Sequence, residues 1–277
     1  MTEEELILIT VKNCRRIDLY ADPAPLSTQQ RDQINTIKLR RQKGEPLQYL
    51  LGSCEFMGLK FKVDSRVLIP RPETELLVEA AINLLTPTRC RRHLVGVGNG
   101  QPIRILDLGT GSGSIAVSLA KFINEYQVIA VDISQDAIDL AHENAKLNGV
   151  ADKIQFLKSD LFSLLKNSLP NHKGFDMIIS NPPYIPSGMM MLLPADVQKE
   201  PTLAIDGGKD GLDFYRRIVN ESLVFLKPGG LLLFEIGDGQ REAIEQIVLP
   251  AQNFIIRECV KDYRGTDRIM ILEVEDG

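Results

Sequence analysis

The chain has 277 residues, 44% of them hydrophobic, with 37 acidic against 32 basic side chains and a formal net charge of −5 at pH 7. That length buries a core in one large domain or two smaller ones, and the acidic balance weighs against naked nucleic acid as the main partner. Four cysteines (Cys14, Cys54, Cys90, Cys259) and three histidines (His93, His142, His172) are dispersed without the paired spacing of a zinc or redox motif, so free thiols and no metal site are expected. The first residues, Met1-Thr2-Glu3-Glu4-Glu5, are acidic where a signal peptide is positive, and no apolar run approaches the ~18 residues of a membrane span. These features predict a soluble protein of the reducing cytoplasm that binds no membrane.

From Glu3 to about Gly44 the pattern is helical, with apolar positions at Leu6, Ile9, Ile17, Ile34, Ile37 and Leu39 and turn signals at Asp22-Pro23-Ala24-Pro25. Ser27 or Thr28 caps the later helix, whose Lys38, Arg40, Arg41 and Lys43 make a basic exposed face. Cys54–Met57 and Leu59–Val63 flank Gly58 as a short hairpin, Pro72 opens a helix through Leu84, and Thr86 to Gln101 reads as a loop carrying Arg89, Arg91 and Arg92. Beyond it, strands at Ile103–Leu108, Gln127–Asp132, Ile154–Phe156, Phe175–Ser180 and Leu231–Glu235 alternate with helices near Ile115–Lys121, Gln135–Asn148 and Leu212–Leu226. This is the signature of an α/β fold with a doubly wound, mostly parallel sheet. The expected domains are 1–52 (helical), 53–72 (a hairpin linker) and 73–277 (the α/β domain).

Two strand ends carry chemistry. After Ile103–Leu108 the chain reads Asp107-Leu108-Gly109-Thr110-Gly111-Ser112-Gly113 and enters a helix near Ser114, offering close backbone approach and a positive helix end. Asp132 ends the next strand, where an acidic side chain takes ribose hydroxyls in nucleotide-binding folds. Asp107 suits a cofactor with a positive group, or else caps the loop amides; Asp160 either accepts from an adenine amine or caps the following helix. The spacing admits a nicotinamide dinucleotide, but the glycine pattern and Asp107 suit S-adenosylmethionine, with its ammonium, carboxylate and ribose, better.

The second strand end is Asn181-Pro182-Pro183-Tyr184, directly after the apolar run Phe175–Ser180. The two prolines stiffen the turn and remove donors, Asn181 adds a side-chain carbonyl, and Tyr184 adds an aromatic face. A planar group bearing an NH₂, either a carboxamide or the exocyclic amine of a base, fits such a site. The bland alternative is a rigid surface turn.

On these motifs the chain resembles the class I methyltransferases with a Rossmann-like sheet that modify planar nitrogens. It is most similar to the HemK/PrmC family, which methylates the glutamine amide in the Gly-Gly-Gln motif of peptide chain release factors. Further segments carry the likeness: Gly44-Glu45-Pro46-Leu47-Gln48-Tyr49-Leu50-Leu51-Gly52, Leu68-Ile69-Pro70-Arg71-Pro72-Glu73-Thr74-Glu75, Glu200-Pro201, Asp206-Gly207-Gly208-Lys209-Asp210-Gly211-Leu212 and Asp262-Tyr263-Arg264-Gly265-Thr266-Asp267-Arg268. A sister family acting on a ribosomal protein glutamine would carry Pro-Arg-Ser-Pro, so Pro72 and Thr74 favour release factors. Relative to the family the amino terminus is shorter by about one helix, and Arg89 to Gly100 reads as an insertion.

The resemblance implies S-adenosylmethionine as cofactor, held by Asp107, Gly109, Thr110, Gly111, Ser112, Gly113, Asp132, Ile133, Asp160, Leu161 and Asn181. It makes Asn181, Pro182, Pro183 and Tyr184 the catalytic set and a release factor the partner of a monomeric enzyme that engages no nucleic acid directly. Asn181 and the Pro182 carbonyl would accept the two amide hydrogens while Tyr184 packs on the amide plane. No His, Glu or Lys adjoins the motif in sequence, so no dedicated general base is expected. Arg71 and Glu75 either brace the entrance or form a helix-start salt bridge, and Tyr263 and Arg268 read equally well as strand-end packing. The rival readings are an adenine amino-methyltransferase and a catalytically silent cofactor-binding protein.

Overall fold

The computed structural model describes residues 1–21, 25–86, 102–124, 126–168, 174–251 and 253–275. The turn signals at Asp22, Pro23 and Ala24, the Arg89 to Gly100 insertion with Cys90 and His93, and His172 lie outside the described residues.

The amino-terminal region is helical because both ends of its main helices are chemically satisfied. Helix α1 (Glu3–Lys12) begins at a Thr2/Glu5 capping box, and α2 (Arg16–Ala21) follows. Helix α3 (Thr28–Gln42) begins at a Ser27/Gln30 capping box, so Ser27 rather than Thr28 is the cap, and α4 (Leu47–Leu51) closes the group. Ile7, Ile34, Ile37 and Leu47 form their shared core. The basic face of α3 is answered by acids: Lys38 pairs with Glu4 at 2.9 Å, Arg40 with Glu45 at 2.6 Å and Arg41 with Glu3 at 3.1 Å.

Strands β1 (Ser53–Phe56) and β2 (Leu59–Lys62) form the predicted antiparallel hairpin, turning through Met57 and Gly58 with both φ positive. The Met57 amide donates to Glu75 Oε1 at 2.6 Å, so Glu75 anchors the hairpin rather than pairing with Arg71. Helix α5 (Pro72–Leu85) has proline in its first turn.

The larger sheet runs through β3 (Ile103–Leu108), α6 (Ser114–Phe122), β4 (Tyr126–Asp132), α7 (Gln135–Leu147), β5 (Ile154–Lys158), α8 (Ser163–Ser168), β6 (Phe175–Ser180), α9 (Asp213–Ser222), β7 (Leu226–Glu235), α10 (Arg241–Val248), β8 (Phe254–Lys261) and β9 (Asp267–Val274). Strand order is β5-β4-β3-β6-β7-β9-β8, parallel through β7 and antiparallel at β9 and β8. The predicted parallel strands are present. The β8–β9 hairpin was not read from the sequence, because Arg257, Glu258 and Lys261 break the apolar alternation of a half-exposed edge strand.

Successive side chains of each strand point to opposite faces and feed two cores. Ile105, Val128, Ala130, Met177, Ile179, Leu231 and Leu233 meet α5 and α6 on one face. Leu106, Leu108, Ile129, Val131, Ile178, Leu232 and Phe234 meet α9 and α10 on the other. β6 is buried along its whole length, which explains its uninterrupted apolar run. Leu77 of α5 is fully buried in the first core. Leu77→Ala should lower unfolding free energy by about 2–5 kcal/mol in urea titration, and a loss below ~1 kcal/mol would contradict this packing.

Candidate active site

The carboxyl ends of β3, β4 and β6 meet where strand order reverses, the place where open α/β sheets bind ligands. In the β3–β6 register Leu108 lies opposite Ser180, and the Ser180 hydroxyl donates to the Leu108 carbonyl at 2.8 Å. Gly109 and Asn181, the next residues of each strand, are therefore neighbours.

The glycine loop folds onto β4. Gly109 and Thr110 amides both donate to the Val131 carbonyl at 2.9 Å, Gly111 donates to Asp132 Oδ2 at 2.9 Å, and Gly113 donates to the Thr110 carbonyl at 2.8 Å. Four loop amides are thus already used, which leaves Ser112 and the first turn of α6, uncapped by any side chain, to face a ligand. Gly113 has φ +80°, and a Cβ there would lie 3.0 Å from the Ala141 side chain. Asn144 locks the loop from behind, donating to the Ser112 carbonyl at 2.9 Å and to the Lys62 carbonyl at 3.0 Å while accepting from the Lys62 amide at 2.7 Å. The sequence reading missed Asn144; a buried polar residue on the apolar face of α7 was the available signal.

Asp107 is fully buried, with Oδ2 accepting from the Thr110 hydroxyl at 2.6 Å and Oδ1 lacking a hydrogen-bond partner. Burial pushes its carboxyl up to about 7, against the pull of the Thr110 hydroxyl and the Ala116 amide. Asp132 accepts from Gly111 and, through Oδ1, from the Ser134 amide at 2.9 Å; burial raises its carboxyl too. Ile133 beside it is half exposed. The Ser159 amide donates to the Asp132 carbonyl at 2.8 Å, bringing the Asp160 turn to the same edge. Leu161 holds φ +46° with its side chain buried, and Asp160 Oδ1 accepts from Arg217 at 2.9 Å.

At the other strand end, Asn181 Nδ2 donates to the Thr74 hydroxyl at 3.0 Å. Its Oδ1 and the Pro182 carbonyl accept nothing from the described residues. The Tyr184 hydroxyl donates to Glu235 Oε1 at 3.3 Å, and its backbone carbonyl accepts from Gln240 at 2.9 Å. Gly207 lies so close behind Tyr184 that a Cβ would stand 2.8 Å from its Cα. A cavity of about 200 Å³ opens on Asn181, Pro182, Pro183 and Tyr184, walled by Arg71 and Leu68 and by the chain following the motif. Arg71 is ion-paired with the buried Glu200, which also accepts from the Ile69 amide at 2.9 Å. Arg71 thus lines this cavity paired with Glu200 rather than with Glu75. Arg41 of α3 reaches Asp196 in that same following segment at 3.2 Å. Tyr263 points into solvent and does not pack, whereas Arg268 pairs with Asp262 at 3.1 Å.

Sequence reading also missed Glu235, because contact with the motif arises across strands. At the carboxyl end of β7, beside β6, it is buried, accepts from Thr74 at 2.6 Å and from Tyr184, and has its carboxyl pushed by burial up to about 7.

The comparisons with known proteins agree with this edge of the sheet. Residues 100–270 match a family model described as a methyltransferase domain, and residues 2–52 match one described as the PrmC N-terminal domain. Fold and matches together define a methyltransferase. The release factor glutamine methyltransferase of Thermodesulfovibrio yellowstonii is 39% identical, covering 98% of this chain and 91% of that protein; that of Geobacter sulfurreducens is 41% identical, covering 97% and 87%. The chain belongs to the release factor glutamine methyltransferase family. A crystal structure of a methyltransferase from Pyrococcus furiosus, 18% identical, covers 91% of this chain and 100% of its own at a TM-score of 0.54, a likeness of fold alone.

An acid whose folded pKa lies above its unfolded value holds its proton longer when folded, so stability falls as pH rises from about 4 to about 7. Asp107→Asn should therefore raise the melting temperature of the cofactor-free protein at pH 8 and leave it nearly unchanged at pH 4; equal shifts at both would refute the buried charge. Gly113→Ala should weaken cofactor binding about tenfold or more in calorimetry, because both φ and the Ala141 contact oppose a side chain.

Proposed function

We propose that this chain transfers a methyl group from S-adenosylmethionine to the side-chain amide nitrogen of the glutamine in the Gly-Gly-Gln motif of peptide chain release factors, modulating translation termination. The observation that carries the reading is the pair of unused acceptors, Asn181 Oδ1 and the Pro182 carbonyl, beside a glycine loop at the strand switch. Two such acceptors would match the two hydrogens of a planar NH₂.

The site fits the cofactor. Asp107 Oδ1, buried and unpartnered, is an acceptor for an ammonium, and a positive ligand there would hold the carboxyl ionised. Ser112 and the α6 terminus would hold the carboxylate, with Gly109, Thr110, Gly111 and Gly113 shaping the loop. Asp132 retains lone pairs for ribose hydroxyls, Ile133 offers an apolar surface to the adenine, and Asp160 with the Leu161 backbone flanks the base. When bound, S-adenosylmethionine supplies an electrophilic sulfonium methyl.

An amide nitrogen is a poor nucleophile because its lone pair is delocalised into the carbonyl, so placement must do most of the work. Asn181 and Pro182 hold the NH₂ plane, and Pro183 stiffens the turn. Tyr184, fixed through its hydroxyl and carbonyl, covers the amide face. Glu235 commits both oxygens to Thr74 and Tyr184; the nitrogen becomes acidic once methylated and yields its proton to water. Residues 1–52 form the substrate-docking domain, 53–72 the linker and 73–277 the catalytic domain. The enzyme is a cytoplasmic monomer that engages no nucleic acid directly. The pairing of the cationic face of α3 with acids supports the last point; no described helix is long and apolar enough to cross a membrane.

Incubation with labelled S-adenosylmethionine should label a release factor, but neither its Gly-Gly-Gln variant with the glutamine replaced nor DNA. Label on DNA alone, the adenine amino-methyltransferase outcome, or on nothing would overturn the reading. Asn181→Ala should reduce turnover about 100-fold or more while cofactor affinity stays near that of the native chain, and near-normal turnover would remove Asn181 from the mechanism.

A further inference from the structure

The polarity of one buried hydrogen-bond chain decides what Asn181 offers the substrate. An ionised carboxylate only accepts, so Glu235 obliges the Thr74 hydroxyl to donate to it, at 2.6 Å. With its proton committed, Thr74 can only accept from Asn181, at 3.0 Å, which draws the Asn181 NH₂ inward. The amide oxygen is left facing outward. Tyr184 donates to the other carboxylate oxygen, so the same acid fixes the aromatic wall.

We infer that Glu235, acting through the Thr74 hydroxyl, is the positioning residue that sets the orientation of the Asn181 amide and thereby makes the site an acceptor for N–H groups. The inference rests on the reading of Asn181 as the holder of the substrate NH₂. Neutralising Glu235 reverses the logic: a protonated acid can donate to Thr74, whose proton is then free to turn toward Asn181, and the asparagine can rotate to present NH₂ to the pocket. Two donors then oppose each other, and the substrate amide loses one of its holders.

The groups facing Glu235 are few. Thr74 and Glu73 come from α5, Tyr184 from the motif and Arg268 from β9, while the Tyr215 hydroxyl of α9 binds its backbone carbonyl at 2.9 Å. Burial and Glu73 favour the neutral acid; Thr74, Tyr184 and Arg268 favour the charged one. The carboxyl lies near 7, within reach of a change in pH. Stability follows the opposite sign to activity: the raised pKa makes the folded chain most stable when Glu235 is protonated, whereas the acceptor orientation needs it ionised.

The test is a kcat profile from pH 5.5 to 8.5 at saturating S-adenosylmethionine, which keeps Asp107 out of the titration, with a release factor as substrate. The native enzyme should lose turnover on the acid side with a midpoint near 7. Glu235→Gln should lower kcat and abolish that limb. Thr74→Val should lower kcat about tenfold or more, the scale of one charge-assisted hydrogen bond, with KM for the release factor changing less. Thr74→Ser should restore it. A second readout is independent of turnover: the Asn181 side-chain NH₂ resonances in ¹⁵N-labelled protein should move with a midpoint near 7 and stand still in Glu235→Gln. If the native enzyme labels nothing while those resonances still titrate, the proposed reaction fails and the relay stands. A Thr74→Val enzyme with native kcat, or Asn181 resonances that ignore pH, would overturn the relay itself.

Discussion

The whole site depends on one register, that of β3 against β6, sealed by the Ser180 hydroxyl on the Leu108 carbonyl. Parallel strands alternate their side chains with a period of two, so a slip of one residue would move each buried apolar set to the opposite core and shift Asn181 from beside Gly109. The two faces of β6 fill different cores, with Met177 and Ile179 on one side and Ile178 on the other, and this penalises such a slip twice. Glycine loop and Asn-Pro-Pro-Tyr turn are thus held side by side by the packing and register of the sheet. Gly207 behind Tyr184 and Asn144 behind Ser112 then fix each partner from outside the sheet.

Two buried acids at this edge show how one physical effect serves two ends. Burial raises both Asp107 and Glu235 toward neutrality at about 7. Asp107 keeps an unsatisfied oxygen, so its desolvation is relieved by taking up a proton or by a positive ligand. Glu235 is closed on both oxygens and exports its polarity through Thr74 and Tyr184. The fold gives up stability at both positions, and both lie where the proposed reaction requires a defined charge or hydrogen-bond direction.

Much of this was legible in the sequence because it is local. The Gly109 to Gly113 loop, Asp132 at the end of its strand, Pro72 opening α5, the Ser27 cap and the Met57-Gly58 turn each follow from a few adjacent residues. What escaped is non-local or disguised. Glu235 lies 51 residues from Tyr184 in sequence and 161 from Thr74, and only strand order makes them neighbours. Arg71 and Glu75 stand one helical turn apart in sequence, yet Glu75 is claimed by the Met57 amide and Arg71 by a carboxylate 129 residues on. β8 was hidden by the charges of an edge strand, and the cationic face of α3 reads as free until α1 supplies its acids.

The central claim is that the acceptor pair at Asn181 and Pro182 selects a glutamine side-chain nitrogen. The most direct measurement is fragmentation mass spectrometry of a release factor after incubation with this protein and S-adenosylmethionine. The account predicts the mass of a single methyl group on the Gly-Gly-Gln glutamine, borne by its side-chain nitrogen. A methyl group on any other residue, or on the backbone or a carboxylate, would contradict it.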